Sequence, residues 1–164
     1  VNLFEELCAR FDLKNEESSR KMYPLIQRGI AFHHAGMLPT LKEVILGLIN
    51  GGCVPFPAAE GYWNTRLEVV QDIPKGKTLW MIDQSDMTKV KKTVGKNACL
   101  FGNVPSTMLN LGTPQDVKAY VKKLIDTVGK DGGLIVGNGA FFDQAKPENV
   151  KAVVDATKEY GVYG

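Results

Sequence analysis

From Cys53 onward the chain sets four short, unbroken apolar runs between stretches of helical periodicity, and that alternation leaves few folds open to it. The runs cover residues 53–58, 77–82, 98–101 and 133–136. A strand with one wet face alternates polar and apolar side chains. An unbroken run belongs to a strand buried on both faces, which is the parallel case. Pro55 and Pro57 in the first run suit a strand end or a sheet edge, because proline brings no amide hydrogen to a ladder.

The segments between the runs carry helix signals. Thr113 followed by Pro114 offers an N-cap and a proline at the first helical position. Val117, Val121, Leu124 and Val128 then fall at three- and four-residue steps, and Gly129 closes the pattern. Pro147 opens a second helix with Val150, Val153, Val154 and Thr157 turned inward, ending at Gly161. Shorter helices are expected over 64–70 and 87–94, and another over 40–49 stopped by Gly51 and Gly52. The fold class is therefore α/β, with four consecutive βα units. The first 36 residues differ: Phe4, Leu7 and Phe11 share a helix face, 15–20 is polar, and 22–30 reads as another helix leading into a strand. A mostly helical segment thus precedes the βα units.

Length and charge narrow the function. With 164 residues the chain fits one ordinary domain but falls short of the roughly 250 of a complete (β/α)8 barrel. A net charge of +2 from 20 basic and 18 acidic residues spread along the chain gives no nucleic-acid footprint, which needs basic groups gathered on one face. The densest basic run, Lys89, Lys91 and Lys92, reads as a solvated helix face. Cys8, Cys53 and Cys99 are widely spaced and odd in number, as expected of reduced thiols in a cytoplasmic setting. No CxxC or CxH pair offers a local metal site, and no apolar run approaches the ~18 residues of a membrane span.

Motifs in the second half carry a resemblance. Gly76-Lys77, Asp83, Gly102-Asn103-Val104-Pro105 and Gly112-Thr113-Pro114-Gln115-Asp116-Val117 occur in that order, followed by Gly137-Asn138-Gly139 and Lys146-Pro147-Glu148-Asn149-Val150. This series resembles the last strands of the uroporphyrinogen decarboxylase family, which includes methyltransferases acting with corrinoid proteins. The resemblance implies strands five to eight of a TIM (β/α)8 barrel, a half-barrel over residues 39–164.

Barrel chemistry sits at the C-terminal ends of the strands. By that rule the candidates are Glu60 and Asp83 as catalytic carboxylates, with Tyr62, Arg66, Asn103 and Asn138 as substrate contacts. A carboxylate just past an apolar strand usually has a partner or a task. The asparagines read equally as turn or cap residues. Arg66 either pairs with one of the carboxylates, grips a substrate carboxylate, or lies on a solvated face. The resemblance places a histidine of the decarboxylases at or beside Asn138, which this chain lacks. The family's zinc-dependent methyltransferases carry histidine and cysteine where this chain has Asp83 and Gly139-Ala140, so no zinc ligand set is expected. What the resemblance implies is a methyltransferase-like member in which Glu60 and Asp83 bind a polar methyl donor or assist proton transfer, with a corrinoid on a partner protein. A decarboxylase-like lyase remains the alternative, although only Arg66 past residue 28 is available for a polycarboxylate.

Residues 25–44, LIQRGIAFHHAGMLPTLKEV, resemble a stretch in Ski-type DExH RNA helicases. Residues 1–38 are accordingly expected to be a helicase-like helical segment rather than an independent domain, with a chimeric junction near 39–45. No GxxxxGK[ST] loop or DExH box accompanies it. Gly76-Lys77-Thr78 is followed by a strand, so its amides would not cradle a phosphate. His33 and His34 are adjacent, and in a strand they would face opposite ways, a poor start for one metal site. A non-catalytic structural or RNA-binding chimera is thus a third possibility. Four parallel units alone would leave two open sheet edges and an uncovered apolar face. Either two copies associate as a homodimer through those edges, or the N-terminal segment folds over the gap.

Overall fold

The computed structural model describes residues 5–6, 8–9, 20, 23–24, 38–139 and 144–162. The described positions before residue 38 are helical; His33, His34 and the strand expected before them lie outside the described residues. Helix α1 (Leu38–Asn50) leads to strand β1 (Ala58–Ala59). Strand β2 (Leu79–Ile82), helix α2 (Met87–Lys92) and strand β3 (Cys99–Phe101) follow. Helices α3 (Ser106–Leu111) and α4 (Pro114–Leu124) then precede strand β4 (Leu134–Ile135) and helix α5 (Pro147–Tyr160). The four strands form one sheet in the order β1-β2-β3-β4, every neighbour parallel. That is the arrangement of half of a TIM barrel.

Local chemistry explains most of the boundaries. Helix α2 starts where the Asp86 carboxylate accepts from the amides of Thr88, at 2.8 Å, and Lys89. Helix α4 has the expected cap at Thr113, reinforced by Asp116 as a reciprocal capping box. Its last turn widens into a π-helical stretch, Ile125–Gly129. Pairing of β1 is limited to two residues for a reason visible in the ladder. The oxygens of Pro55 and Pro57 accept from the amides of Leu79 and Met81 at 3.0 and 2.9 Å. Those prolines therefore face β2, and each withholds the donor that a ladder residue would return.

Two helix expectations need correction, and one helix was missed. The segment 64–70 is not an α-helix but a turn leading into a 3-10 turn, Leu67–Val70. Helix α3 was not foreseen: it is a two-turn element between β3 and α4. The inward face of α5 is displaced as well. Val154 stays 46% exposed, while Asn149 and Ala156 are buried, because the helix packs against α3 and α4 through Ala152, Val153 and Ala156. Asn149 fastens that contact. Its amide nitrogen donates to the oxygens of Leu109, at 3.0 Å, and Gly112, at 2.9 Å, at the end of α3.

The core lies on the helix side of the sheet. Trp80, Ile82 and Leu100 are buried there against Val90, Val94, Leu124 and Val128, with Ile45 of α1 and Trp63 completing the cluster. Alternate residues point the other way. Ala58, Met81, Phe101 and Ile135 share one register row across all four strands, and Phe56 stacks edge-on to Phe101 at 5.7 Å. This row would line the interior of a closed barrel. Here Phe56 and Ile135 remain 52% and 45% exposed, so the burial on both faces expected from the sequence holds on the helix side only.

Candidate functional site at the strand ends

At the C-terminal ends of the strands the backbone is packed too closely for side chains at two positions. A Cβ on Gly102 would stand 2.4 Å from the oxygen of Ile82, and the φ of +125° there is one that glycine tolerates best. A Cβ on Gly139 would stand 2.7 Å from the Asp83 Cα. Glycines at both places bring the ends of β3 and β4 against the end of β2. The Gly102–Asn103 peptide is cis.

Around this contact the loops are joined by side-chain hydrogen bonds. Asp83 Oδ2 accepts from the Gly61 amide at 2.8 Å, while Oδ1 takes no hydrogen bond from the described residues. Ser85 Oγ accepts from the Trp63 amide at 2.8 Å, and Asn64 Oδ1 accepts from the Asp86 amide at 3.0 Å. The Gln84 amide donates to the oxygen of Gly61 at 3.1 Å, and Trp63 Nε1 to the oxygen of Glu60 at 3.0 Å. The loops after β1 and β2 are therefore tied to each other by hydrogen bonds.

The six residues singled out from the sequence divide into three groups. Asp83 is half-buried with one carboxylate oxygen pinned and the other available, a geometry that can accept a proton or a ligand donor. Glu60 and Tyr62 flank Gly61 on the attached loop and are exposed, Tyr62 by 63%. Arg66 is exposed on the turn beyond and makes no ion pair with Glu60 or Asp83 among the described residues. Asn138 is half-buried and bridges in parallel to Val104, beside Gly139. Asn103 is 6% exposed and wholly engaged. Its Nδ2 donates to the oxygens of Asp83, at 2.9 Å, and Ser85, at 3.0 Å, and its Oδ1 accepts from the Tyr120 hydroxyl at 2.9 Å.

Ser85 and Tyr120 were missed in the sequence. Tyr120 had a signal, since it falls on the same face of α4 as Val117, Val121 and Leu124 while carrying a polar tip. Burial pushes its phenol above the ordinary tyrosine value. Ser85, buried between Gln84 and Asp86, had none. Among the described residues no three His, Cys, Asp or Glu side chains converge as a metal site. The described donors at the strand ends are carboxylates and amides, a set that does not fit a thiol-activating zinc. Ala140 lies outside the described residues.

A cleft of about 640 Å³ lies away from these loops between β4, the π-helical turn and the end of α5. Ile125, Leu134, Val136 and Val162 are among its lining. No described helix is long and apolar enough to cross a membrane.

Comparison with known proteins gives likenesses of three kinds. Residues 50–160 match the profile of the uroporphyrinogen decarboxylase (URO-D) family. Among solved structures, a methyltransferase from Methanosarcina mazei is similar with a TM-score of 0.60 and 25% identity, over 77% of this chain and 37% of that one. A stretch of 33 residues is 54% identical to a DExH-box ATP-dependent RNA helicase of Arabidopsis thaliana, covering 20% of this chain and 3% of the helicase.

Proposed function

Because the chain belongs to the uroporphyrinogen decarboxylase family, we propose that it derives from a methyltransferase of that family, as a fragment or chimera, acting with a corrinoid protein as partner. Likeness to the archaeal methyltransferase supports the reading. The observation that carries it is the Asp83 carboxylate, held by the Gly61 amide with one oxygen to spare, in the loop pair that also bears Glu60 and Tyr62. In this reading Glu60 and Asp83 are the catalytic carboxylates. Tyr62, Arg66 and Asn138 contact the substrate, and Asn103 contributes by holding the loops.

The chemistry asked of these groups is modest. A corrinoid on the partner protein would supply or receive the methyl group, while Glu60 and Asp83 would bind the polar methyl donor or assist proton transfer. The chain spans 37% of the solved methyltransferase, and barrel sites draw on strand ends all round the ring. The single chain is therefore expected to be weak or inactive alone. A homodimer through the open edges would set a second group of strand ends opposite the first. Residues 1–38 are read as an attached helicase-like segment and 39–164 as the half-barrel.

Titration of the chain with methylcobalamin, followed by absorbance, tests the proposal. Saturable binding, weakened about tenfold by Glu60→Gln or Asp83→Asn, is the expected result; tenfold is the weight of one charge-assisted contact. Porphyrinogen turnover without cobalamin binding would replace the methyltransferase by a decarboxylase-like lyase. RNA binding that weakens steeply with salt would replace it by a helicase-derived chimera.

A further inference from the structure

We propose that Tyr120 is a positioning residue for the strand-end site, acting through Asn103 to hold the loops after β1 and β2 in register. The inference deepens the reading of those loops as the site. Tyr120 stands on α4, on the outer layer, yet its hydroxyl reaches Asn103 Oδ1 at 2.9 Å and the main-chain oxygen of the same residue at 3.1 Å. The main-chain oxygens of Asp83 and Ser85, which can only accept, fix which way the Asn103 amide faces, and the Tyr120 hydroxyl donates to the amide oxygen left on the other side. The opposite orientation would set Oδ1 against the carbonyl oxygens of Asp83 and Ser85 and waste two donors.

With the amide so fixed, both of its hydrogens go to the β2 loop, at 2.9 and 3.0 Å. The same two residues then reach the β1 loop: Ser85 through its hydroxyl to the Trp63 amide, and Asp83 through its carboxylate to the Gly61 amide. One hydroxyl on the outer helix is therefore three hydrogen bonds away from the segment that carries Glu60 and Tyr62. Ser85 is 2% exposed and Asn103 6%, so water is poorly placed to take over if a link is removed. Asn103 is central to this chain of bonds but buried among backbone, whereas Tyr120→Phe deletes a single oxygen and keeps the ring.

Amide hydrogen exchange on the full chain, resolved by residue, tests the proposal. In Tyr120→Phe the amides of Gly61 and Trp63 should exchange roughly three- to tenfold faster, the weight of about one hydrogen bond. Those of Val90 and Leu100 should keep their rates. The indole N–H resonance of Trp63, bonded to the oxygen of Glu60, should move while that of Trp80 stays. Asn103→Ala should give the same pattern more strongly; should it fail to fold, Tyr120→Phe decides alone. Uniform acceleration at all four amides would reduce Tyr120 to a packing residue and overturn the proposal, as would unchanged exchange at Gly61 and Trp63. None of these readouts uses a corrinoid, so failure here is distinguishable from failure of the methyltransferase reading.

Discussion

The two faces of the sheet are made of alternating residues on the same strands, yet they are finished to different degrees. On the helix side Trp80, Ile82 and Leu100 are 1% exposed or less, enclosed by α2, the end of α4 and the loop bearing Trp63. On the inner side the row from Ala58 to Ile135 is just as apolar, but Ile135 at its end and Phe56 beside it are about half exposed. The helix side builds its own core from the βα units in hand. The inner side has the composition of a barrel interior, whose stability depends on side chains arriving from all round the ring. The strand-end loops sit on the rim between the two and are hydrogen-bonded through Asn103 to Tyr120 on the helix side.

Truncation on the two faces should separate them most widely. Leu100→Ala is expected to lower the unfolding free energy by about 3 kcal/mol, since a fully buried leucine leaves a cavity among packed neighbours. Ile135→Ala should cost under about 1 kcal/mol, because much of that side chain already meets solvent. Urea denaturation with a common m-value, at chain concentrations low enough to keep the protein monomeric, measures both. Equal costs would mean that the inner face is covered within the single chain, and the contrast would collapse. Next in size is Gly139→Ala, expected to cost about 1–3 kcal/mol through backbone overpacking. Its new methyl would press on Asp83 and Ile82 backbone atoms rather than on a side chain that can swing away.

Where local chemistry decides, the sequence was a good guide, and where packing decides, it was not. Thr113 and Pro114 marked the start of α4, and Val117, Val121, Leu124 and Val128 marked its buried face. The apolar runs located β2, β3 and β4, and their unbroken character showed the sheet to be parallel. By contrast, the exposed Val154 was read as inward because valine fits a helical stripe, while Asn149 was overlooked as a buried residue because it is polar. Its burial follows from the carbonyls at the end of α3, which no periodicity reveals. Segment 64–70 had the length of a helix, but Asn64 and Trp63 are spent on bonds to the β2 loop. At the strand ends the rule that barrel chemistry lies beyond each strand named Asp83 and Asn103. It could not tell that Asn103 turns its amide wholly inward, nor that Ser85 and Tyr120 join it.

A charge on the open face should sharpen the comparison from the other side. Ile135→Lys places an ammonium on the inner row with about half of the side chain already exposed, so a single chain should tolerate it with little loss of stability. Ile135 lies on the edge strand β4, so association through that edge should not survive. Light scattering after size exclusion is expected to give twice the chain mass for the unmodified protein and one chain mass for the variant. Equal masses for both would remove the β4 edge from any homodimer.

The smallest expected effect lies at the rim and depends on pH. Burial raises the Tyr120 phenol above its ordinary value, near 10, so the folded chain holds that proton more tightly than the unfolded one. By linkage the corresponding stability is complete below about pH 10 and is lost as pH climbs through the higher folded value. Cys99, also raised by burial, acts in the same direction from its own lower range, so both proteins should carry Cys99→Ala. In that background stability should fall less steeply above about pH 10 once Tyr120→Phe removes the ionisable group. Below that pH, Tyr120→Phe should show only the constant loss of one hydrogen bond, about 1 kcal/mol or less. A parallel fall in both proteins would place the alkaline sensitivity elsewhere. Convergence of the two curves at high pH would tie it to the one hydroxyl that links the finished face to the strand-end loops.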